Sequence, residues 1–172
     1  MILAVLVVLA AGCGGEEESA SEAWAGDFCS AAADWRSSLE EIVGQFQSPA
    51  DLSAESVRGA VDDGLDATST FVDEVESLGP PETESGQEAA GIVDSMTSTI
   101  ESTADDLRSE FDSEGDSLSQ LLAKLSGAAG QIEQMVQDLQ GSLQQLETLE
   151  PAEELGDALQ GNEDCGEARA GS

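Results

Sequence analysis

From Trp24 onward the apolar residues of this chain recur at a helical period. Trp24, Phe28, Ala31, Trp35, Leu39, Ile42 and Phe46 stand 4, 3, 4, 4, 3 and 4 residues apart. They line one face of a helix of about 27 residues, with Cys29 beside the stripe. Ser48-Pro49 breaks and restarts the chain, because serine caps a new helix and proline is tolerated in its first turn. A second helix, Ser53 to Leu78, carries Val57, Val61, Leu65, Thr68, Val72, Val75 and Leu78 on one face, with Phe71 alongside. Gly79-Pro80-Pro81 ends it, since glycine suits a left-handed cap and proline cannot continue the ladder. A third helix, Thr83 to Asp112, has Val93, Met96, Ile100, Thr103, Leu107 and Phe111 as its stripe. Ser113 to Ser117 then reads as a turn and a new cap.

The fourth helix has the widest apolar face. Leu118, Leu125, Ile132, Leu139 and Leu146 fall seven apart, flanked by Leu121, Leu122, Ala128, Ala129, Met135, Val136, Leu143 and Leu149. A stripe of that width faces several neighbours, as in a bundle, and exceeds what a two-stranded seam needs. After Pro151, Ala152 to Leu159 forms a short last helix. Four helices of similar length on short connections predict an all-α fold, an elongated antiparallel up-down-up-down four-helix bundle with a short fifth C-terminal helix. In that topology the start of the first helix and the end of the fourth lie at the same end. Gly44, Gly59, Gly64, Gly91, Gly127, Gly130 and Gly141 fall inside the predicted helices. Each costs about 0.5 to 1 kcal/mol relative to alanine, and the expected return is close helix approach or flexibility. With aromatic residues at 3% the core is expected to be narrow and the molecule long.

Charge narrows the partners. The chain carries 37 Asp+Glu against 5 Lys+Arg, a formal net charge of −32. Such a field repels polyphosphate and anionic headgroups, which argues against nucleic acid as a partner. An acidity this high often marks disorder. Here 40% of residues are hydrophobic and periodic, so the acids are expected to form a solvated shell over an ordered core.

The N-terminus has a separate logic. Ile2 to Ala11 is a run of ten apolar residues, which as a helix rises about 15 Å, half the roughly 30 Å of a bilayer's hydrocarbon core. Too short to span, it has the form of an export signal. Leu9-Ala10-Ala11-Gly12-Cys13 resembles the lipobox of bacterial lipoproteins, in which small residues precede a cysteine that is lipidated and becomes the first residue. That resemblance implies cleavage before Cys13 and anchoring through it; an ordinary secretory signal, in which Cys13 has no role, is the competing reading. Each buried methylene contributes about 0.8 kcal/mol, so one acyl chain holds marginally and two or three hold firmly. The resulting organisation is a signal peptide over 1–12, a lipidated cysteine and flexible acidic tether over 13–21, a helical bundle over 22–165 and a disordered tail over 166–172. With Cys13 assigned to lipid, Cys29 and Cys165 remain as an even pair in an exported chain and are expected to be bonded. Metal is the competing use, but two thiols without a single histidine make a poor zinc site.

Several short motifs carry a family resemblance. Phe28-Cys29-Ser30 with Asp34-Trp35-Arg36-Ser37-Ser38-Leu39, Leu78-Gly79-Pro80-Pro81-Glu82-Thr83 with Gly86-Gln87-Glu88-Ala89, and Asn162-Glu163-Asp164-Cys165 resemble uncharacterised actinobacterial helical lipoproteins. The likeness implies a surface lipoprotein with a helical fold, and brings no activity with it.

Candidate chemistry is sparse. The chain has no histidine, which removes the commonest general base and the usual serine and cysteine triads. Lys124, the one lysine, has no serine three residues before it, where the S-x-x-K motif places one. The acidic pairs Asp62-Asp63, Asp105-Asp106 and Glu153-Glu154 could serve glycoside cleavage only across a groove of suitable width. Adjacent acids on a helix point in different directions, so they read as solvated surface. Trp24 and Trp35 lie on the core stripe and not on a sugar platform. Asp112 to Asp116 lacks the ligand spacing of an EF-hand, and Trp24-Ala25-Gly26 opens a helix where the WxG tripeptide of small secreted hairpins marks a turn. No catalytic residue, cofactor or metal is therefore expected. The expected function is non-catalytic: a lipid-anchored protein on the extracytoplasmic face of the cell membrane, held through Cys13 and contacting an envelope protein through an exposed helix face. The alternative is a ligand carrier or sensor, with the Gly- and Ala-lined gaps of the third and fourth helices as candidate sites. An apolar interior cavity above about 300 Å³ would favour the carrier, and a solid core with an apolar surface patch the protein contact.

Overall fold

The computed structural model describes residues 19–46, 52–113, 115–149 and 153–169. The expected signal peptide, Cys13, most of the tether, Ser48-Pro49, Pro151 and the last three residues lie outside the described residues. Six helices form: α1 (Ala20–Gln45), α2 (Ala54–Leu78), α3 (Gly86–Phe111), α4 (Leu118–Glu147), α5 (Glu153–Gly161) and α6 (Glu163–Arg169). The described residues contain no strand, and no helix among them is long and apolar enough to cross a membrane. The long helices pack in chain order, α1 on α2, α2 on α3 and α3 on α4.

Local chemistry sets the boundaries. Ser19 caps α1: its Oγ accepts the Glu22 N–H at 3.2 Å while Glu22 accepts the Ser19 N–H at 2.8 Å, a reciprocal box that satisfies two orphan donors. Hydrogen bonding to the Ser19 backbone N–H, and secondarily to its side chain, holds the Glu22 carboxyl below its ordinary pKa. The ordered helix therefore begins inside the segment expected to be tether, and Ser21 is already buried. Ser53 caps α2 with Ser56 in the same way, and at the start of α4 Gln120 accepts the Ser117 N–H. Gly79 ends α2 with φ at +63°, the conformation glycine tolerates. α3 starts three residues later than Thr83, because Thr83 donates to the Pro81 carbonyl and Gly86 to that of Thr83 in a tight turn. Gly86 is required there: a Cβ would run into the Pro81 carbonyl.

The core follows the predicted stripes. Trp24 stacks on Phe28 with ring centroids 5.2 Å apart, and Trp35 on Phe71 at 4.8 Å. Trp24 donates its indole N–H to the Gly79 carbonyl at 2.9 Å, which ties the first turns of α1 to the end of α2. Most of the interior glycines do not bring helices together. A Cβ at Gly44, Gly59, Gly91, Gly127, Gly130 or Gly141 would meet nothing within 4 Å, and at Gly64 only the Ile42 side chain at 3.7 Å. The close approach occurs instead at Gly156, where a Cβ would stand 2.6 Å from the Glu147 carbonyl and where α5 crosses the end of α4.

The C-terminus departs most from expectation. Two short helices replace one, and residues 166–169 of the expected disordered tail are helical, with Ala168 fully buried. A second stripe on α1 explains this: Ala25, Cys29 and Ala32 are small, fully buried and in line with Arg36. Cys29 is disulfide-bonded to Cys165, 136 residues away, with Cα atoms 4.8 Å apart. Two turns further along α1, Arg36 donates to the carbonyls of Glu167 (2.7 Å) and Ala168 (3.3 Å), which caps the C-terminal end of α6. Arg169 pairs with the Glu147 carboxylate and donates to the Cys165 carbonyl at 3.0 Å.

Candidate functional site: an apolar cleft between α1 and α4

α1 and α4 make almost no direct contact; α5 touches both, and α6 lies against α1. The short helices therefore close the ring at one end. At nine residues α5 is about 14 Å long against about 45 Å for α4. It cannot cover the whole seam. The consequence is visible along the wide stripe of α4: Leu139, Leu143 and Leu146 are fully buried, whereas Leu125 and Ile132 are half-buried and Leu122 is 40% exposed. On α1 the stripe is buried through Leu39, then Ile42 and Phe46 are half-buried and Val43 is 55% exposed.

Where the seam is open it forms a cleft of about 550 Å³. Leu39, Ile42, Val43 and Phe46 form one wall, and Leu122, Leu125, Ala129 and Ile132 the other. The floor is Leu65 and Thr68 of α2 with Ala104, Leu107 and Phe111 of α3. Among the described residues no charged side chain lines it, and the only hydroxyls are those of Thr68 and Ser126. Thr68 is already satisfied, donating to the Gly64 carbonyl at 2.8 Å and accepting the Trp35 indole N–H at 3.1 Å. The cleft therefore offers a guest dispersion and apolar burial, with little hydrogen bonding. Its opening is between the first and fourth helices, whereas the sequence pointed to the third and fourth; both of those helices line it, through Ala104 of α3 and through Ala128 and Ala129 of α4.

A smaller pocket of about 190 Å³ lies by the start of α2, lined by Arg58, Asp62, Arg108 and Asp112 among others. Its charges are balanced and its arginines occupied. Arg58 donates to the Asp116 carbonyl at 3.0 Å, and Arg108 pairs with Asp105 at 2.9 Å. Lys124 is equally committed: its ammonium contacts the Glu110 carbonyl at 2.5 Å and the Asp116 carboxylate at 2.6 Å. The Phe111 ring centroid lies 5.9 Å from it. Asp62, Asp63, Asp105 and Asp106 are exposed on helix surfaces. Among the described residues no group of three His, Cys, Asp or Glu side chains is placed to hold a metal ion. No protein-family model, curated protein or solved structure matches the chain.

Proposed function

We propose that this chain is a lipid-anchored extracytoplasmic protein without catalytic activity that holds an apolar ligand between α1 and α4. The observation that carries the reading is the cleft of about 550 Å³ with uncharged, hydrocarbon walls, within the roughly 300–1,000 Å³ typical of ligand sites. The four long helices alternate in direction, a topology supported by the Trp24 bond to the end of α2 and by Arg58, at the start of α2, reaching the segment before α4. Leu39 then stands about 28 Å along α1 from Ala20, so the cleft lies well away from the anchored end. The anchor itself rests on the apolar run and Cys13. The resemblance to actinobacterial helical lipoproteins points the same way.

Two measurements test this. Cys13→Ser is expected to move the protein from the membrane pellet to the soluble fraction in detergent-free fractionation; retention in the pellet would refute the lipid anchor. That soluble chain should bind N-phenylnaphthylamine, a neutral dye that brightens in apolar surroundings. Ala129→Trp, which places an indole in the cleft from an exposed helix position, should abolish most of the brightening without lowering the melting temperature. Unchanged dye binding in that variant would move the site elsewhere.

One observation favours a second reading, contact with an envelope protein. α5 closes the other half of this same seam with Leu155 and Leu159, both fully buried. An amphipathic helix of a partner would meet Val43 and Leu122 in a similar way.

A further inference from the structure

We propose that the ligand of the α1–α4 cleft is a single-chain amphiphile with a neutral or cationic head group; this rests on the ligand-binding reading above. The shape argues for one chain. The lining runs ~20 Å along α4 from Leu122 to Met135 and is apolar but for Thr68 and Ser126, a path that one extended hydrocarbon chain can follow.

The interior excludes a charged head. With no charged side chain on the walls among the described residues and the Thr68 hydroxyl already bonded, a carboxylate or phosphate inside would be desolvated without a partner. The head must therefore stay at the mouth, on helix surfaces where acids outnumber cations. Glu40 and Glu41 precede Ile42 on α1 and Glu133 follows Ile132 on α4, all three exposed, with Glu40 paired to Arg36 at 3.0 Å. Three of the cations near the mouth in sequence already face a carboxylate, Arg36 that of Glu40, Lys124 that of Asp116 and Arg108 that of Asp105, and Arg58 donates to the Asp116 carbonyl. On a chain of net charge −32 the potential there is negative, and it repels fatty-acid-like heads while attracting ammonium. The same repulsion disfavours a second copy of this chain as the occupant.

The test uses the Cys13→Ser chain loaded with N-phenylnaphthylamine. Three competitors share one alkyl chain and differ in the head: dodecyltrimethylammonium, dodecyl maltoside and dodecyl sulfate. Each is kept below its micellar concentration, with far-UV circular dichroism confirming that the helices persist. The trimethylammonium and maltoside compounds should displace the dye, with the sulfate about tenfold weaker at low salt. The gap should narrow in 1 M salt, where charges are screened beyond about 3 Å. In Ala129→Trp the direct binding of the first two, read by calorimetry, should fall. Sulfate displacing as well as maltoside overturns the head-group preference and leaves the cleft a binding site. Dye that binds but yields to none of the three overturns the single-chain ligand. A chain that binds no dye but does bind a basic amphipathic peptide removes the ligand-binding reading itself.

Discussion

Cys29→Ala/Cys165→Ala should lose about 5 kcal/mol of stability, the chain-entropy value for opening a loop of this length, and melt about 10 to 20 °C lower. The bond closes a separation of 136 residues, most of the span from Ser19 to Arg169. A domain of ordinary stability has about 5–15 kcal/mol to lose, so the variant should stand near its unfolding limit at growth temperature. The loss should begin at the C-terminus. α6 has seven residues, too few to persist as an isolated helix. Without the bond it is held by Ala168, by the two Arg36 hydrogen bonds and by the Arg169–Glu147 pair. Thermal melting followed by circular dichroism gives the total, and amide exchange resolved by peptide should show 163–169 exchanging before α2 and α3. A drop below about 1 kcal/mol would mean that the unfolded chain is already compact enough for the cross-link to remove little entropy.

The same helix shows where sequence reasoning stops. α1 to α4 were legible because their large apolar residues repeat at 3.6 and their ends carry serine caps, glycine and proline, all local signals. Trp24, Phe28, Trp35, Leu39 and Phe71 are accordingly in the core. α6, Glu163 to Arg169, has no apolar period to read. It is ordered by a covalent bond and by an arginine 131 positions earlier in the chain, and neither contact leaves a local trace. The facing stripe on α1 is equally quiet, because Ala25, Cys29 and Ala32 are small. The cleft was half legible. The width of the α4 stripe called for a further neighbour along its full length, and the segment after Pro151 was too short to supply one. Which pair of helices would be left apart depended on α5 and α6 sitting between α1 and α4, a tertiary fact. Of the two returns expected from the interior glycines, close helix approach is absent at most of them: a missing side chain looks the same in sequence whether a helix or solvent lies opposite.

Trp35→Ala is expected to lose about 3–5 kcal/mol, the usual range for emptying a buried aromatic site. The indole is 2% exposed, stacks on Phe71 at 4.8 Å and bonds Thr68 at 3.1 Å. Trp35→Phe separates these contributions. It keeps a ring against Phe71 and gives up the N–H, so it should lose only about 1 kcal/mol, the net worth of one hydrogen bond, plus a smaller term for the reduced ring. Thr68 keeps its bond to the Gly64 carbonyl in both variants, so no buried hydroxyl proton is orphaned. Urea unfolding, followed by the circular dichroism of the helices, measures both losses. If Phe and Ala cost the same, the hydrogen bond and not the stack holds α1 to α2 at this level. The position also bears on the cleft, because Thr68 forms part of its floor and Leu39, one turn on from Trp35, part of its wall. Emptying the Trp35 site opens space directly beneath that floor. The alanine variant should therefore still bind the neutral dye while folded, whereas Ala129→Trp should not, which separates a fault in the core beneath the cleft from a blockage within it.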